Sequence, residues 1–342
     1  MESRGILKRL LRLVSRGDGN SRLPHGFVAP RGVRSPLTKE MLRPLPAGRQ
    51  IVQFSGGLRT EDYKRLSAWL EEYPDAELRA IRVADLEFLQ FFPRLRRFRV
   101  DSGDRDFESL AGLEYLRPDL DELGIGWNRR RLDLAVLARF GQLTTLYLDG
   151  LEGGFKAIDV VSRLTSLEDL TLRSITLPDL SVLVPLRNLL SLDIKLGGTS
   201  DLALLGDIGQ IRYLELWRIR GLTDLSPIGR MRHLRYLYLQ ALGRAETLPA
   251  LSRAHSLRRV HLESMTGLHD LGPLATAPAL RQVLLIDMPH LKVESLAPLK
   301  TMPQLEAVAL GLGSFRRNDE ARAFLGLPDV ETLYDWQSDE FH

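Results

Sequence analysis

One pattern recurs through most of this chain and limits what it can fold into: an apolar residue, two variable, an apolar, one variable, an apolar. It reads Leu78-Ile81-Val83, Leu95-Phe98-Val100, Leu120-Leu123-Ile125, Leu143-Leu146-Leu148, Leu167-Leu170-Leu172 and Leu189-Leu192-Ile194. It continues as Ile211-Leu214-Leu216, Leu234-Leu237-Leu239, Leu257-Val260-Leu262, Leu280-Val283-Leu285 and Leu305-Val308-Leu310, with a weaker twelfth copy beginning at Val330-Leu333. Successive copies lie 17, 25, 23, 24, 22, 22, 23, 23, 23 and 25 residues apart. Alternating apolar positions make each copy a short strand with one face turned inward. No copy has a second layer of its own to cover that face, so neighbouring copies must stack. Eleven strands at about 4.8 Å spacing make a parallel sheet roughly 50 Å long. The 342 residues therefore build one elongated unit rather than two globular domains.

The connectors fit that geometry. Leu222-Thr223-Asp224-Leu225-Ser226-Pro227-Ile228, Leu268-His269-Asp270-Leu271-Gly272-Pro273-Leu274 and Leu296-Ala297-Pro298-Leu299 space apolar residues by three. That spacing suits a 3₁₀ turn, in which i and i+3 eclipse. Proline belongs at the start of such a turn, where an amide donor is not needed. On these strands and connectors, residues 78–330 resemble the leucine-rich-repeat proteins of the short class, roughly 22 residues per unit, found in bacterial repeat proteins and in a regulatory subunit of protein phosphatase 1. The resemblance implies an α/β solenoid: a right-handed coil with a concave parallel β-sheet, a convex side of 3₁₀ turns and short helices, and a small N-terminal cap. One departure stands out. The family's asparagine, eight residues after the first leucine, is kept only as Asn128; the equivalent positions hold Leu151, Ile175, Gly197, Ile219, Leu242, Met265, Met288 and Gly313. Backbone groups at that bend must then find partners in neighbouring turns or in water.

The chain divides into four parts. Residues 1–49 read as a flexible leader with eleven basic and three acidic side chains and with Pro24, Pro30, Pro36, Pro44 and Pro46. Within it Ile6, Leu7, Leu10, Leu11 and Val14, interleaved with Lys8, Arg9 and Arg12, describe a basic amphipathic helix suited to an anionic surface; a solvated tail, or a true start at Met41, is the plainer account. Residues 50–77 form an N-terminal cap: a strand at Ile51-Val52-Gln53-Phe54, then a helix capped by Thr60, with Leu66, Trp69 and Leu70 on its apolar stripe and Pro74 ending it. Residues 78–313 carry the repeats. Residues 314–342 form a C-terminal cap, with a short helix through Ser314–Leu325 and with Tyr334 and Trp336 closing the last coil.

Composition removes several functions. The chain has no cysteine, so disulfides, thiolate metal sites and cysteine nucleophiles are excluded. The net charge of +3 argues against wholesale polyanion binding. No apolar run approaches the ~18 residues that span a bilayer, which fits a cytoplasmic protein. The seven histidines have no close metal-ligand spacing, so no metal or other cofactor is expected. Gly124-Ile125-Gly126 and Gly311-Leu312-Gly313 lack the third glycine of a dinucleotide fingerprint. Asp193 and Glu215, side by side on adjacent strands, are the one acid–base pair on offer, and on an open hydrated face their pKa values should be ordinary. The chain is therefore read as non-enzymatic.

Register makes the concave face readable. Its central row runs Arg82, Arg99, Gly124, Tyr147, Thr171, Asp193, Glu215, Tyr238, His261, Leu284, Ala309. The flanking rows add Tyr213, Tyr236 and Arg259 on one side and Lys195, Trp217 and Glu263 on the other. Tyr147, Asp193, Tyr213, Glu215, Trp217, Tyr236, Tyr238, Arg259, His261 and Glu263 thus form a candidate partner-binding cluster of exposed aromatics and charges. The plainer account is that aromatic residues simply favour strands. Leu284, Ile286, Ala307 and Ala309 extend the surface as an apolar shelf, for a partner or for the C-terminal cap to cover. Arg82, Arg94, Arg96, Arg97 and Arg99 make a basic first third, read as an acidic-partner site or as a solvated face. The expected function is a scaffold holding a protein or peptide on the concave face. The alternative is attachment to anionic lipid or nucleic acid through the leader and the Arg-rich first repeats.

Overall fold

A computed structural model describes residues 29–330. The basic helix expected at Ile6–Val14, the closure expected from Tyr334 and Trp336, and most of the twelfth copy lie outside the described residues. Thirteen parallel strands form one sheet: β1 (Arg31–Val33), β2 (Ile51–Ser55), β3 (Glu77–Ile81), β4 (Arg97–Asp101), β5 (Glu122–Ile125), β7 (Thr145–Asp149), β9 (Asp169–Arg173), β10 (Ser191–Lys195), β11 (Tyr213–Trp217), β12 (Tyr236–Gln240), β13 (Arg259–Glu263), β14 (Gln282–Ile286) and β15 (Ala307–Leu310). Two short strands, β6 (Leu132–Asp133) and β8 (Phe155–Lys156), pair with each other on the far side of the coil. The sheet order follows the chain, as a solenoid requires.

The apolar ladder is the core. Leu146, Leu170, Leu192, Leu214 and Val260 are fully buried, and the second inward position of each strand is equally dry at Leu148, Ile194, Leu216, Leu239 and Leu262. On the convex side 3₁₀ turns return the chain, among them Ala135–Arg139, Ser181–Leu183, Ser226–Arg230 and Gly272–Thr276. Each of these four is opened by an aspartate two residues upstream: Asp133, Asp179, Asp224 and Asp270 accept the amides of Ala135, Ser181, Ser226 and Gly272 at 2.7–2.9 Å. A short acidic side chain folded back on its own backbone starts a turn locally. That is why the connectors read Leu-x-Asp-Leu.

The bend without asparagine has a backbone solution. The residue that follows each central strand adopts a left-handed conformation: Ser174, Leu196, Arg218, Ala241, Ser264 and Asp287, with φ between 51° and 58°. That turn aims its amide along the sheet. Ser174, Leu196, Arg218, Ala241 and Ser264 donate to the last strand carbonyl of the next coil, at Lys195, Trp217, Gln240, Glu263 and Ile286, over 2.7–3.0 Å. Neighbouring turns, rather than side-chain amides, satisfy this column. Asn128 alone keeps the older device, donating from Nδ2 to the Phe107 carbonyl at 2.9 Å. A left-handed non-glycine residue costs about 1 kcal/mol, and glycine's extra freedom in the unfolded chain offsets part of its relief. Ala241→Gly is therefore expected to stabilise the chain by about 0.5 kcal/mol, whereas Ala241→Val should destabilise it by more than that. Urea unfolding of the pair checks the sign; equal midpoints would show that the bend carries no strain.

Three sequence expectations change at the N-terminal end. The leader does not remain structureless to residue 49: β1 pairs with β2, and Val33 and Leu37 are buried, because the open edge of β2 offers unpaired backbone groups. Thr60 is inside its helix, α1 (Thr60–Leu70), and makes no cap; instead Asp62 accepts the Leu37 amide at 3.0 Å and so clamps the leader to the helix. The first repeat is set three residues earlier than its apolar pattern suggests. Leu78 and Ala80, not Ile81 and Val83, pair with Phe98 and Val100, so Arg79 rather than Arg82 faces Arg99. At the C-terminal cap a helix runs Phe315–Leu325, and Ser314 is its cap, accepting the Arg317 amide at 3.3 Å.

Candidate functional site: the concave sheet face

From β4 to β15 the central row has the predicted order. Arg99, Gly124, Tyr147, Thr171, Asp193, Glu215, Tyr238, His261, Leu284 and Ala309 are successive register partners. Tyr213, Tyr236 and Arg259 align in the row before, and Lys195, Trp217, Gln240, Glu263 and Ile286 in the row after.

Adjacency does not bring the expected exposure. Tyr213 is 5% exposed, Tyr236 1%, Arg259 2%, and His261 0%, and Glu215 is also buried. Tyr147, Asp193, Trp217, Tyr238 and Glu263 are half-buried. The rings interlock. Tyr213 tilts against Tyr236 with centroids 5.1 Å apart, and Tyr238 stacks on His261 at 4.1 Å and 11°. The Arg259 guanidinium lies 5.7 Å over the Tyr236 ring and donates through Nε to Gln282 Oε1 at 2.6 Å. Tyr238 donates to Glu263 Oε2 at 2.6 Å, and Gln240 donates to the other oxygen at 2.8 Å. Burial works to raise Glu263, but hydrogen bonds from His261 and Tyr238 hold its carboxyl below the usual range.

On the other side of Tyr213 the face turns acidic around one lysine. Lys195 Nζ lies 2.8 Å from Glu215 Oε2 and 3.2 Å from Asp193 Oδ2, while Thr171 donates to Asp193 and Tyr213 to Glu215. Burial opposes the Lys195 charge, yet the two carboxylates hold its ammonium above the ordinary value. The expectation of ordinary pKa values fails at Glu215, whose carboxyl is raised by burial and by Asp193 against the pull of Lys195. One strand over, burial and then Asp193 push Asp169 up to about 7. Burial, with both acids nearby, also raises the Tyr213 hydroxyl well above its normal value. Asp193 and Glu215 are thus bridged by a cation rather than poised as an acid–base pair.

The basic first third is neutralised. Arg94 pairs with Glu71, Arg96 with Asp121, Arg97 with Glu122 and Asp75, Arg99 with Asp101, and Arg82 with Asp104, over 2.8–3.5 Å. Arg99 also lies 4.2 Å over Tyr147. The solvated face is the better account of these arginines. The apolar shelf is covered by the chain itself: Leu284 is 0% and Ala309 6% exposed, clustered with Val330.

One feature escaped the sequence reading. Arg212, Arg235, Arg258 and Arg281 each stand directly before a strand, at a constant interval of 23 residues. Their backbones stack: the Arg212, Arg235, Arg258 and Arg281 carbonyls each accept two amides from the next coil at 2.7–3.2 Å. This rail borders the aromatic cluster from β11 to β14. The signal was available as the fixed interval, but this row lies just outside the apolar motif.

Among the described residues no group of three or more His, Asp or Glu side chains could hold a metal ion, and no helix is long and apolar enough to cross a membrane. No protein-family profile and no curated protein sequence matches the chain. Among solved structures, an internalin of Listeria monocytogenes is similar at 18% identity and a TM-score of 0.52, over 82% of this chain and 78% of that one. A leucine-rich-repeat protein of Leptospira interrogans shares 14% identity over 83% of this chain and 89% of its own, with a TM-score of 0.45. At such identities the likeness is one of fold: this chain is a right-handed, leucine-rich-repeat-like solenoid with a parallel concave sheet and a convex side of 3₁₀ turns and short helices.

Proposed function

We propose that the chain is a non-enzymatic scaffold of the short leucine-rich-repeat class that holds a protein or peptide on its concave face. The observation that carries this reading is the half-buried Tyr238, stacked on His261 and bonded to Glu263, with half-buried Trp217 on the neighbouring strand in the adjacent row. Aromatic groups fixed before binding lose little conformational freedom on contact, which is how a few residues come to dominate an interface. Tyr213, Tyr236 and His261, packed in the same rows, supply rigidity beside them; Asp193, Glu215, Arg259 and Glu263 set the charge pattern. Electrostatic attachment through the first repeats has little support, since their arginines are engaged by carboxylates.

Trp217→Ala in the full chain is expected to reduce partner capture at least tenfold, the loss of one central aromatic anchor. Its melting temperature should fall by only a few degrees. Undiminished capture at an intact melting transition would remove this reading.

A further inference from the structure

A groove of about 610 Å³ opens at the C-terminal rim of β10, β11 and β12, where the chain leaves the sheet after Lys195, Trp217 and Gln240. That volume falls within the roughly 300–1,000 Å³ typical of small-ligand clefts. Arg218, Arg220 and Arg244 line the groove, all three exposed, and no aspartate or glutamate does. Among the described residues none of these guanidinium groups has a hydrogen-bond or ion-pair partner. Elsewhere the basic surfaces carry their own counter-charge. The arginines of the first repeats meet carboxylates, the groove beside Arg94, Arg96 and Arg117 includes Glu71, and the one beside Arg230, Arg232 and Arg253 includes Asp207. Three like charges around one groove repel one another in the folded chain, and a bound anion relieves that repulsion.

The register shows how the groove stays open. Trp217 pairs with Gln240, so the residues that follow them fall into columns one coil apart, about 4.8 Å. Arg220 shares its column with Gly243, and Gly221 shares the next with Arg244. Each arginine thus has a neighbour without a side chain. Gly221 has φ 82°, which glycine adopts freely, and a Cβ built there would meet nothing within 4 Å. The guanidinium fork matches the oxygens of phosphate and carboxylate groups. A carboxylate brings one negative charge and two oxygens to three cations, whereas a phosphoryl group brings about −2 and three oxygens. The phosphoryl group is the better match.

We infer that this groove is a phosphoryl-binding subsite: Arg218, Arg220 and Arg244 hold the phosphate of a phosphorylated side chain in a peptide that lies on the concave face. Arg218 directly follows Trp217, so the subsite adjoins the aromatic anchor at the end of β11. The inference rests on the concave face being the binding surface, and it adds the chemical class of the partner. Phosphorylation of that partner then switches its capture on, because without the phosphate the three arginines have nothing to engage.

Phosphorus NMR on the full chain provides the test, with inorganic phosphate and the blocked tripeptide Gly-phosphoserine-Gly as probes. Both signals should broaden when the chain is added, and the apparent affinity should fall about tenfold in Arg220→Gln/Arg244→Gln. Arg253→Gln, in the basic groove that contains Asp207, should leave both signals as they are with the unaltered chain. The side chains exchanged are exposed, so the melting temperatures should agree within a few degrees. Signals that stay sharp, or an equal response from the double variant, overturn the inference. So does acetate displacing the probes as readily as phosphate, which would mean a carboxylate site. A single-stranded oligonucleotide that displaces the tripeptide with a steep salt dependence also overturns it, in favour of a nucleic acid. Treating the partner with phosphatase should reduce its capture about tenfold, and undiminished capture again overturns the inference. The tripeptide needs no partner, so its failure to bind is separable from a failure of Trp217→Ala to reduce capture.

Discussion

Replacing Lys195 with methionine is expected to destabilise the folded chain by about 3 to 5 kcal/mol at neutral pH, the cost of breaking a buried ion pair from one side. Lys195 is the cation between Asp193 and Glu215 and also acts on Asp169. Without it, three partly desolvated acids face each other on adjacent strands. The folded-state pKa values of Asp169 and Glu215, already raised, rise further above the unfolded ones, so the loss should deepen as pH rises from 4 to 8 and shrink when these acids are protonated. Adding Glu215→Gln should recover part of the stability at pH 8, since the coupling lies between neighbours. Urea midpoints at both pH values provide the check. A loss of equal size at pH 4 and pH 8 would mean that the aliphatic stem of Lys195 matters and its charge does not.

The second large effect has the opposite sign. Asp169 titrates near 7 in the folded chain against an ordinary 3.8, raised by burial and by Asp193. A carboxyl with a raised folded pKa favours folding in its protonated form. That contribution is full below about pH 4 and is lost as pH climbs through 7. Asp169→Asn removes the ionising group while keeping the shape. A tenfold difference in proton affinity between the folded and unfolded chain is worth roughly 1.4 kcal/mol, so the variant should be more stable than the parent by about 2 to 4 kcal/mol at pH 8. At pH 4 the two should be nearly equal. A variant no more stable than the parent at pH 8 would show that Asp169 is better solvated than its position implies.

The architecture was legible because the leucine ladder reports a period, and period is what stacking requires. Ten of the eleven central-row positions follow from counting, since one register governs every coil from β4 to β15. The exception is the first repeat, where Ile81 and Val83 imitate the motif three residues after Leu78 and Ala80; a 17-residue interval gave too little context to choose. Burial on the concave face was not legible. Alternation assigns Tyr213, Tyr236 and His261 to the outward face, correctly, but whether that face is wet depends on packing along the rows and on segments far away in sequence. Val330 over Leu284 is such a case. The raised carboxyl of Glu215 escaped for the same reason, because desolvation is a property of the assembled surface rather than of a strand.

The paired amides on each rail carbonyl have a further consequence. The arginine backbone does most of the stapling of one coil to the next, with the guanidinium adding a bond from Arg258 to the Ala279 carbonyl and an ion pair from Arg281 to Glu306. A lineage or a designer can rewrite that edge from cationic to neutral or anionic, coil by coil, while every backbone staple is kept and only those side-chain contacts are given up. Affinity for a new class of ligand can then be acquired in single steps, without passing through a misfolded intermediate.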